Sequence, residues 1–452
     1  MKEFNIVFLI WVAVVLFAIG LIILIILKFI KKDTILVTIE KSLKEGSYKK
    51  ALNLALKIAK DSPKDFLIKY YIAQAYEGLK DYRQAAIYYE RASIAASLSA
   101  QEEIKNQIFL KVAESFKKIR KYNESMGYYV LVLEKEPKNL KALFGISELL
   151  FEQENYRKAK EYLETYVKLK PDNLKARFML GKSSAKTNDY SAAMDHLEFI
   201  LQNIKINDEV LINNTSLLLA DVYIATKNYS KAINILKKLL DKGVEPDVVT
   251  VKIADAYLRN NQTREAIVFA QQNLSKVSKD SQCELHYLIG NAYMKEDEIM
   301  KAAQSWQAAY KINPSYRDLR IIVSRYSYLI EHPELEPLFS KNESAFENFV
   351  LNLLNYPYIK QIIKKDSFWA IESGDICYVI YRKPFPASVA EVSEMEKLIK
   401  MNFKANTKCI LFSLYGITNE NNTSGDTYNA ERMDLVSDMD FINRLKKEKN
   451  PE

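Results

Sequence analysis

The chain has 452 residues, enough for two or three domains of ordinary size, and 48% of them are hydrophobic, which excludes a disordered chain. Three scattered Cys (Cys283, Cys377, Cys409) and three scattered His (His196, His286, His332) exclude a disulfide framework and a zinc site; free thiols in a reducing compartment are the reading. The net charge of +8 is uneven: from residue 318 onward 17 Lys and Arg meet 20 Asp and Glu, whereas residues 28–60 hold nine Lys against three acids.

Residues 6–27 form a run of 22 without a charge. As a helix the run would span about 33 Å, close to the roughly 30 Å core of a bilayer. A cleaved signal peptide has a shorter apolar stretch followed by a small-x-small site. Here the run passes straight into Lys28, Lys31 and Lys32. Residues 1–33 therefore read as an uncleaved anchor with a basic flank, and the membrane is a partner through residues 6–27. The positive-inside rule places the larger, lysine-flanked side in the cytoplasm. The basic excess of residues 28–60 then sits beside anionic lipid headgroups. The abundance of Lys, Ile and Asn fits an AT-rich bacterial genome, so the expected location is the inner, cytoplasmic membrane, single-pass, with a cytoplasmic body. A body facing the periplasm is the alternative.

Gly and Pro are scarce, at 11 each, which points to helices joined by short turns. From residue 34 to 318 a motif Tyr-x-x-Ala recurs after a polar turn. Its copies are Tyr48/Ala51, Tyr82/Ala85, Tyr156/Ala159, Tyr190/Ala193 and Tyr229/Ala232, with variants Tyr122/Ser125, Thr263/Ala266 and Ile299/Ala302. Four of the seven steps between first positions are 34 residues. Twelve residues before the Ala or Ser lies a small residue in most units: Ala73, Ala113, Ser147, Gly181, Ala220, Ala254, Gly290. Nine before it lies a bulky one in several: Tyr76, Phe116, Leu150, Tyr223, Tyr257, Tyr293. Pro63, Pro137, Pro171 and Pro314 follow twelve after it.

This pattern resembles the tetratricopeptide repeat family. The resemblance implies about eight helical hairpins, each burying its apolar face only against its neighbours, in a mainly α solenoid. The Tyr and Ala positions are expected to be core. The family binds other proteins on the concave face formed mainly by first helices, and Lys69, Lys111, Lys141, Arg177, Asn213 and Lys252 are candidates there. The Lys, Asn and Arg set of the family's carboxylate clamp is not met across adjacent units.

Beyond residue 318 the pattern fades. Helical segments at 319–330 and 345–354 read as a linker, 319–365. Residues 366–452 form a small α/β domain. Its expected strands are 368–372 and 376–383 around a turn at 373–375, then 408–415 and 433–436. Its expected helices are 389–401, 427–432 and 438–446, with a polar loop at 419–426. This order resembles the Mrr-type restriction-endonuclease-like fold. In that family an Asp, an acid or Gln, and a Lys bind Mg²⁺ and activate water. Lys383 matches the Lys. Tyr381 stands at the acid or Gln position and Phe368 at the Asp position, with Asp366 and Asp375 at poor offsets. The resemblance implies a degenerate relative without catalysis. The expected function is a membrane-anchored protein–protein interaction scaffold with no cofactor, no metal and no nucleic-acid partner. The alternative is a membrane-tethered, metal-dependent nuclease in which Lys383 is catalytic.

Overall fold

The computed structural model describes residues 2–60, 62, 65–97, 102–204, 208–354, 361–373, 376–403, 407–415, 417–418, 433–437, 440 and 443. Within that set the side chains of residues 2–10, 13, 23–31, 97, 102, 353, 361, 373 and 433–434 are not described. The expected turn residues 374–375, the loop 419–426, the helix 427–432 and most of the helix 438–446 lie outside the described residues. The chain divides into two compact units, residues 1–222 and 223–452.

The first unit is helical: α1 (Lys2–Lys44), α2 (Tyr48–Ala59), α3 (Phe66–Gly78), α4 (Tyr82–Ser97), α5 (Glu102–Lys118), α6 (Tyr122–Lys135), α7 (Leu140–Glu152), α8 (Tyr156–Leu169), α9 (Leu174–Lys186) and α10 (Tyr190–Asn203). Helix α11 (Glu209–Ala225) crosses the division. The second unit continues with α12 (Tyr229–Asp241), α13 (Pro246–Arg259), α14 (Thr263–Asn273), α15 (Lys279–Lys295) and α16 (Ile299–Ile312). All eight motif starts, from Tyr48 to Ile299, are the first residues of second helices.

The turns explain this registration. Two residues before each start lies a left-handed residue: Gly46, Lys80, Arg120, Glu154, Asn188, Lys227, Asn261 and Asp297, with φ between 57° and 74°. The next amide donates to the carbonyl five residues back, as Asp81 to Tyr76 (3.0 Å), Asn155 to Leu150 (2.8 Å) and Glu298 to Tyr293 (3.0 Å). Such closure satisfies carbonyls that a helix end otherwise leaves orphaned. Bulky residues of the motif therefore carry the accepting carbonyls as well as packing area. Pro137 and Pro171 stand two residues before Asn139 and Asn173, whose side chains accept the amides of Ala142 (3.1 Å) and Ala176 (3.0 Å). Those caps start α7 and α9.

The small motif residues form the core: Ala51, Ala85, Ser125, Ala159, Ala193, Ala232 and Ala302 have no exposed surface, and Ala266 has 4%. Ser125 replaces Ala at no loss because its hydroxyl donates to the Ala113 carbonyl of the facing helix, at 2.7 Å. Tyr48, Tyr82, Tyr122, Tyr156, Tyr190 and Tyr229 are not core: each is only half-buried. As first residues of a helix they sit at the hairpin end, where the ring covers the turn, as Tyr156 does edge-on to Phe151 (5.6 Å). The pocket opposite a small residue is filled from four residues after the motif Ala: Leu197 opposite Gly181 and Trp306 opposite Gly290. Those fillers were not singled out by the repeat pattern.

No break separates the apolar run from the first repeat at residue 33: α1 is one helix of 43 residues, with Ile39 and Ser42 buried near its end. Among the described residues no helix is long and apolar enough to cross a membrane. The side chains of 6–10, 13 and 23–27, half of the apolar run, lie outside that set.

After α16 come α17 (Leu319–Arg325), α18 (Ser327–Glu331), α19 (Glu336–Phe339) and α20 (Glu343–Leu354). A five-stranded sheet follows, ordered β1 (Gln361–Lys364), β2 (Phe368–Ser373), β3 (Ile376–Tyr381), β5 (Lys408–Phe412), β7 (Met433–Val436). The first three strands are antiparallel, and β3, β5 and β7 are parallel. Helix α21 (Val389–Asn402) lies between β3 and β5 in sequence, and β4 (Ala387–Ser388) pairs with β6 (Ile417–Thr418) apart from the main sheet. Alternation along the strands gives two cores. Trp369, Ile371, Tyr378, Ile380, Ile410 and Phe412 pack with Leu329, Leu338, Phe346 and Val350. Ala370, Val379, Cys377, Cys409 and Leu411 pack with Val392, Met395 and Ile399 of α21. The helices of 319–354 thus cover one sheet face, because their apolar side chains match the face that α21 leaves open, and residues 361–364 of the expected linker form the edge strand β1.

Candidate functional site

Positions on first helices supply the candidate site. At the start of the first unit, α1, α2 and α3 bound an open groove of about 530 Å³. Its walls include Leu43, Tyr48, Leu67, Tyr70, Gln74 and Glu77. On α3 these lie 18, 15, 11 and 8 residues before Ala85. The same offsets in later units select Leu110, Glu114 and Lys117 on α5, Phe144, Glu148 and Phe151 on α7, and Phe178 and Lys182 on α9. An apolar or aromatic residue recurs at the second offset and a polar one at the third.

Charges on this face are laced together between neighbouring first helices. Glu77 accepts from Tyr89 Oη (2.7 Å) and Lys118 Nζ (3.1 Å), and Lys111 Nζ lies 3.5 Å away. Burial pushes the Glu77 carboxyl up, but these three partners outweigh it and hold it below the usual carboxylate range. Glu148 of α7 is clasped by Lys117 of α5 (2.6 Å) and Lys175 of α9 (2.5 Å). Its carboxyl is likewise lowered, with burial opposing both lysines. Burial raises the Tyr70 phenol, so it stays a neutral hydroxyl on an apolar ring.

The sequence candidates scatter around this face. Lys111 bridges Glu77 and Glu114 (3.3 Å). Arg177 stacks 3.6 Å over the Phe199 ring and donates to the Pro171 carbonyl at 2.5 Å. Asn213 has a buried Oδ1 without a hydrogen-bond partner among the described residues. Lys69 and Lys252 are half-buried, and Lys141 is exposed at the first of the groove offsets. The structure does not gather these six into one site. Tyr70, Glu77 and Glu148 were missed. The recurring apolar residue 15 before the motif Ala was the signal that could have found them.

In the last domain Lys383 Nζ pairs with Glu391 at 2.6 Å, and Tyr381 Oη donates to the same carboxylate at 2.9 Å. Glu391 also closes a capping box with Ser388 at the start of α21. Burial opposes these bonds, yet they hold its carboxyl at about 2. Phe368 is buried and Asp366 is exposed on the turn before β2; Asp375 lies outside the described residues. This set does not fit a Mg²⁺ centre, since the lysine is spent on a helix cap and an apolar ring occupies the first ligand position. Among the described residues no group of three or more His, Cys, Asp or Glu could hold a metal ion.

The family model described as "Anaphase-promoting complex, cyclosome, subunit 3" matches residues 118–200, and the one described as "Tetratricopeptide repeat" matches residues 215–241. Over those residues the hairpins are similar to tetratricopeptide repeats. Among solved structures, a tetratricopeptide repeat protein of Parabacteroides merdae is 16% identical over 57% of this chain and 97% of its own, with a TM-score of 0.37. The C-terminal part of a repeat protein of Cytophaga hutchinsonii is 15% identical over 64% of this chain and 99% of its own, at 0.38. YrrB, a repeat protein with an unusual peptide-binding site, is 15% identical over 49% of this chain and 91% of its own, at 0.30. No curated protein matches.

Proposed function

We propose that this repeat protein is a single-pass scaffold of a bacterial cytoplasmic membrane that holds an extended segment of a partner protein on its first-helix face. The observation that carries the reading is the uninterrupted helix α1, which joins a 22-residue uncharged run to the first hairpin without a linker. The groove floored by Leu67 and Tyr70 receives an aliphatic or aromatic side chain of the partner, and Gln74 hydrogen-bonds its backbone. A cytoplasmic body is the reading that the lysines after residue 27 support.

Proximity labelling from the full chain in its host tests this reading. Tyr70→Ala together with Leu67→Ala is expected to remove specific neighbours while helical circular dichroism is retained. An unchanged set of neighbours would remove the groove from the proposal. Extraction of the wild-type chain by carbonate would remove the anchor. A Cys introduced at exposed Asn53 and labelled from outside intact cells by an impermeant reagent would reverse the topology.

A further inference from the structure

The geometry points to the far end of α2, at Lys57 and Lys60, as a contact surface for anionic lipid headgroups, which seats the first hairpin on the bilayer. The inference rests on the anchor reading above. Helix α2 contains no acid, and Lys49, Lys50, Lys57 and Lys60 are exposed. None of the four has an ion-pair partner among the described residues, whereas Lys41 and Lys44 of α1 meet Glu45 (3.9 Å) and Glu40 (2.8 Å).

Position along α1 separates the four lysines. Helix α1 runs up from the apolar stretch and α2 runs back down beside it, joined by the turn at Gly46. Twelve residues of α2 return the chain by about 18 Å. The return ends level with Lys32, because Lys32 Nζ pairs with Asp65 Oδ2, the cap of α3, at 2.8 Å. Lys32 stands five residues beyond Leu27, where the uncharged run ends. Five helical residues rise about 8 Å, which is one screening length at physiological salt. Lys57 and Lys60 therefore lie within reach of the headgroup layer. Lys49 and Lys50, at the opposite end of α2, lie well outside it.

The full chain is reconstituted in nanodiscs of phosphatidylcholine alone, or with phosphatidylserine, and reacted with an impermeant amine reagent. Modification is read residue by residue by mass spectrometry. Labelling of Lys57 and Lys60 is expected to fall about fivefold with phosphatidylserine, and to recover in high salt. Lys49 and Lys50 serve as internal controls and should not change. Equal labelling of all four lysines in both bilayers would overturn the contact while leaving the anchor intact. Release of the chain from the nanodiscs by carbonate would overturn both.

Discussion

Adding one methyl group should have opposite signs at two glycines of the repeat array. In Gly290→Ala on α15, the new Cβ would stand 2.5 Å from Trp306 Nε1 and 2.6 Å from Cδ1, closer than side chains tolerate. Trp306 is 4% exposed and donates to Asn291 Oδ1 at 3.2 Å, so its ring cannot swing away without breaking that bond. Overpacking of this kind costs about 1–3 kcal/mol, against roughly 0.5–1 kcal/mol gained by replacing Gly within a helix. At mid-range values the net loss is about 1 kcal/mol, a factor of roughly 5 in local opening. In Gly127→Ala on α6 nothing lies within 4 Å of the new atom, so only the gain remains. Hydrogen exchange on the full chain reads both changes locally, which suits an array whose units open separately. Amides of α15 and α16 should exchange faster in Gly290→Ala, and those of α6 slower in Gly127→Ala. Protection of α15 by Gly290→Ala would refute the packing of Trp306 into the space that glycine leaves.

Glu154→Gly should stabilise its hairpin by up to about 1 kcal/mol, since φ at that residue is 57° and glycine adopts it without the strain that the Glu Cβ carries. Asn188→Gly, at φ 62°, should gain little, because Asn already tolerates that region; urea unfolding compares the two. The Glu148 carboxyl titrates below its ordinary value of 4.5. Its contribution is therefore complete above that pH and lost as the pH falls through the lowered folded value. Glu148→Gln should remove this acid-side slope and lower stability at pH 7, measured as unfolding midpoints from pH 7 to 3. Lys383→Ala should cost about 1 kcal/mol after allowance for its partial exposure, and raise the Glu391 carboxyl from about 2, so that acid unfolding begins at higher pH. Mg²⁺-dependent DNA cleavage lost in that variant would make Lys383 catalytic instead of a cap.

The repeat was legible without coordinates because its constraints are local. A hairpin needs a turn, a buried small residue and a bulky shoulder at fixed helical spacing, and Tyr48 through Ile299 mark every second-helix start. The strands 368–372 and 433–436 were legible for the same reason, through alternation over a few residues. The groove floor at Tyr70, the clasp of Lys117 and Lys175 on Glu148, and the filling of Gly290 by Trp306 were decided by tertiary structure, since each joins side chains on different helices. The same holds for the helices of 319–354, whose apolar residues had no visible partner until the sheet face was placed beside them. Spacing along one helix specifies which residues share a face. Which face meets which depends on contacts between residues distant in sequence, and only the folded chain brings those together.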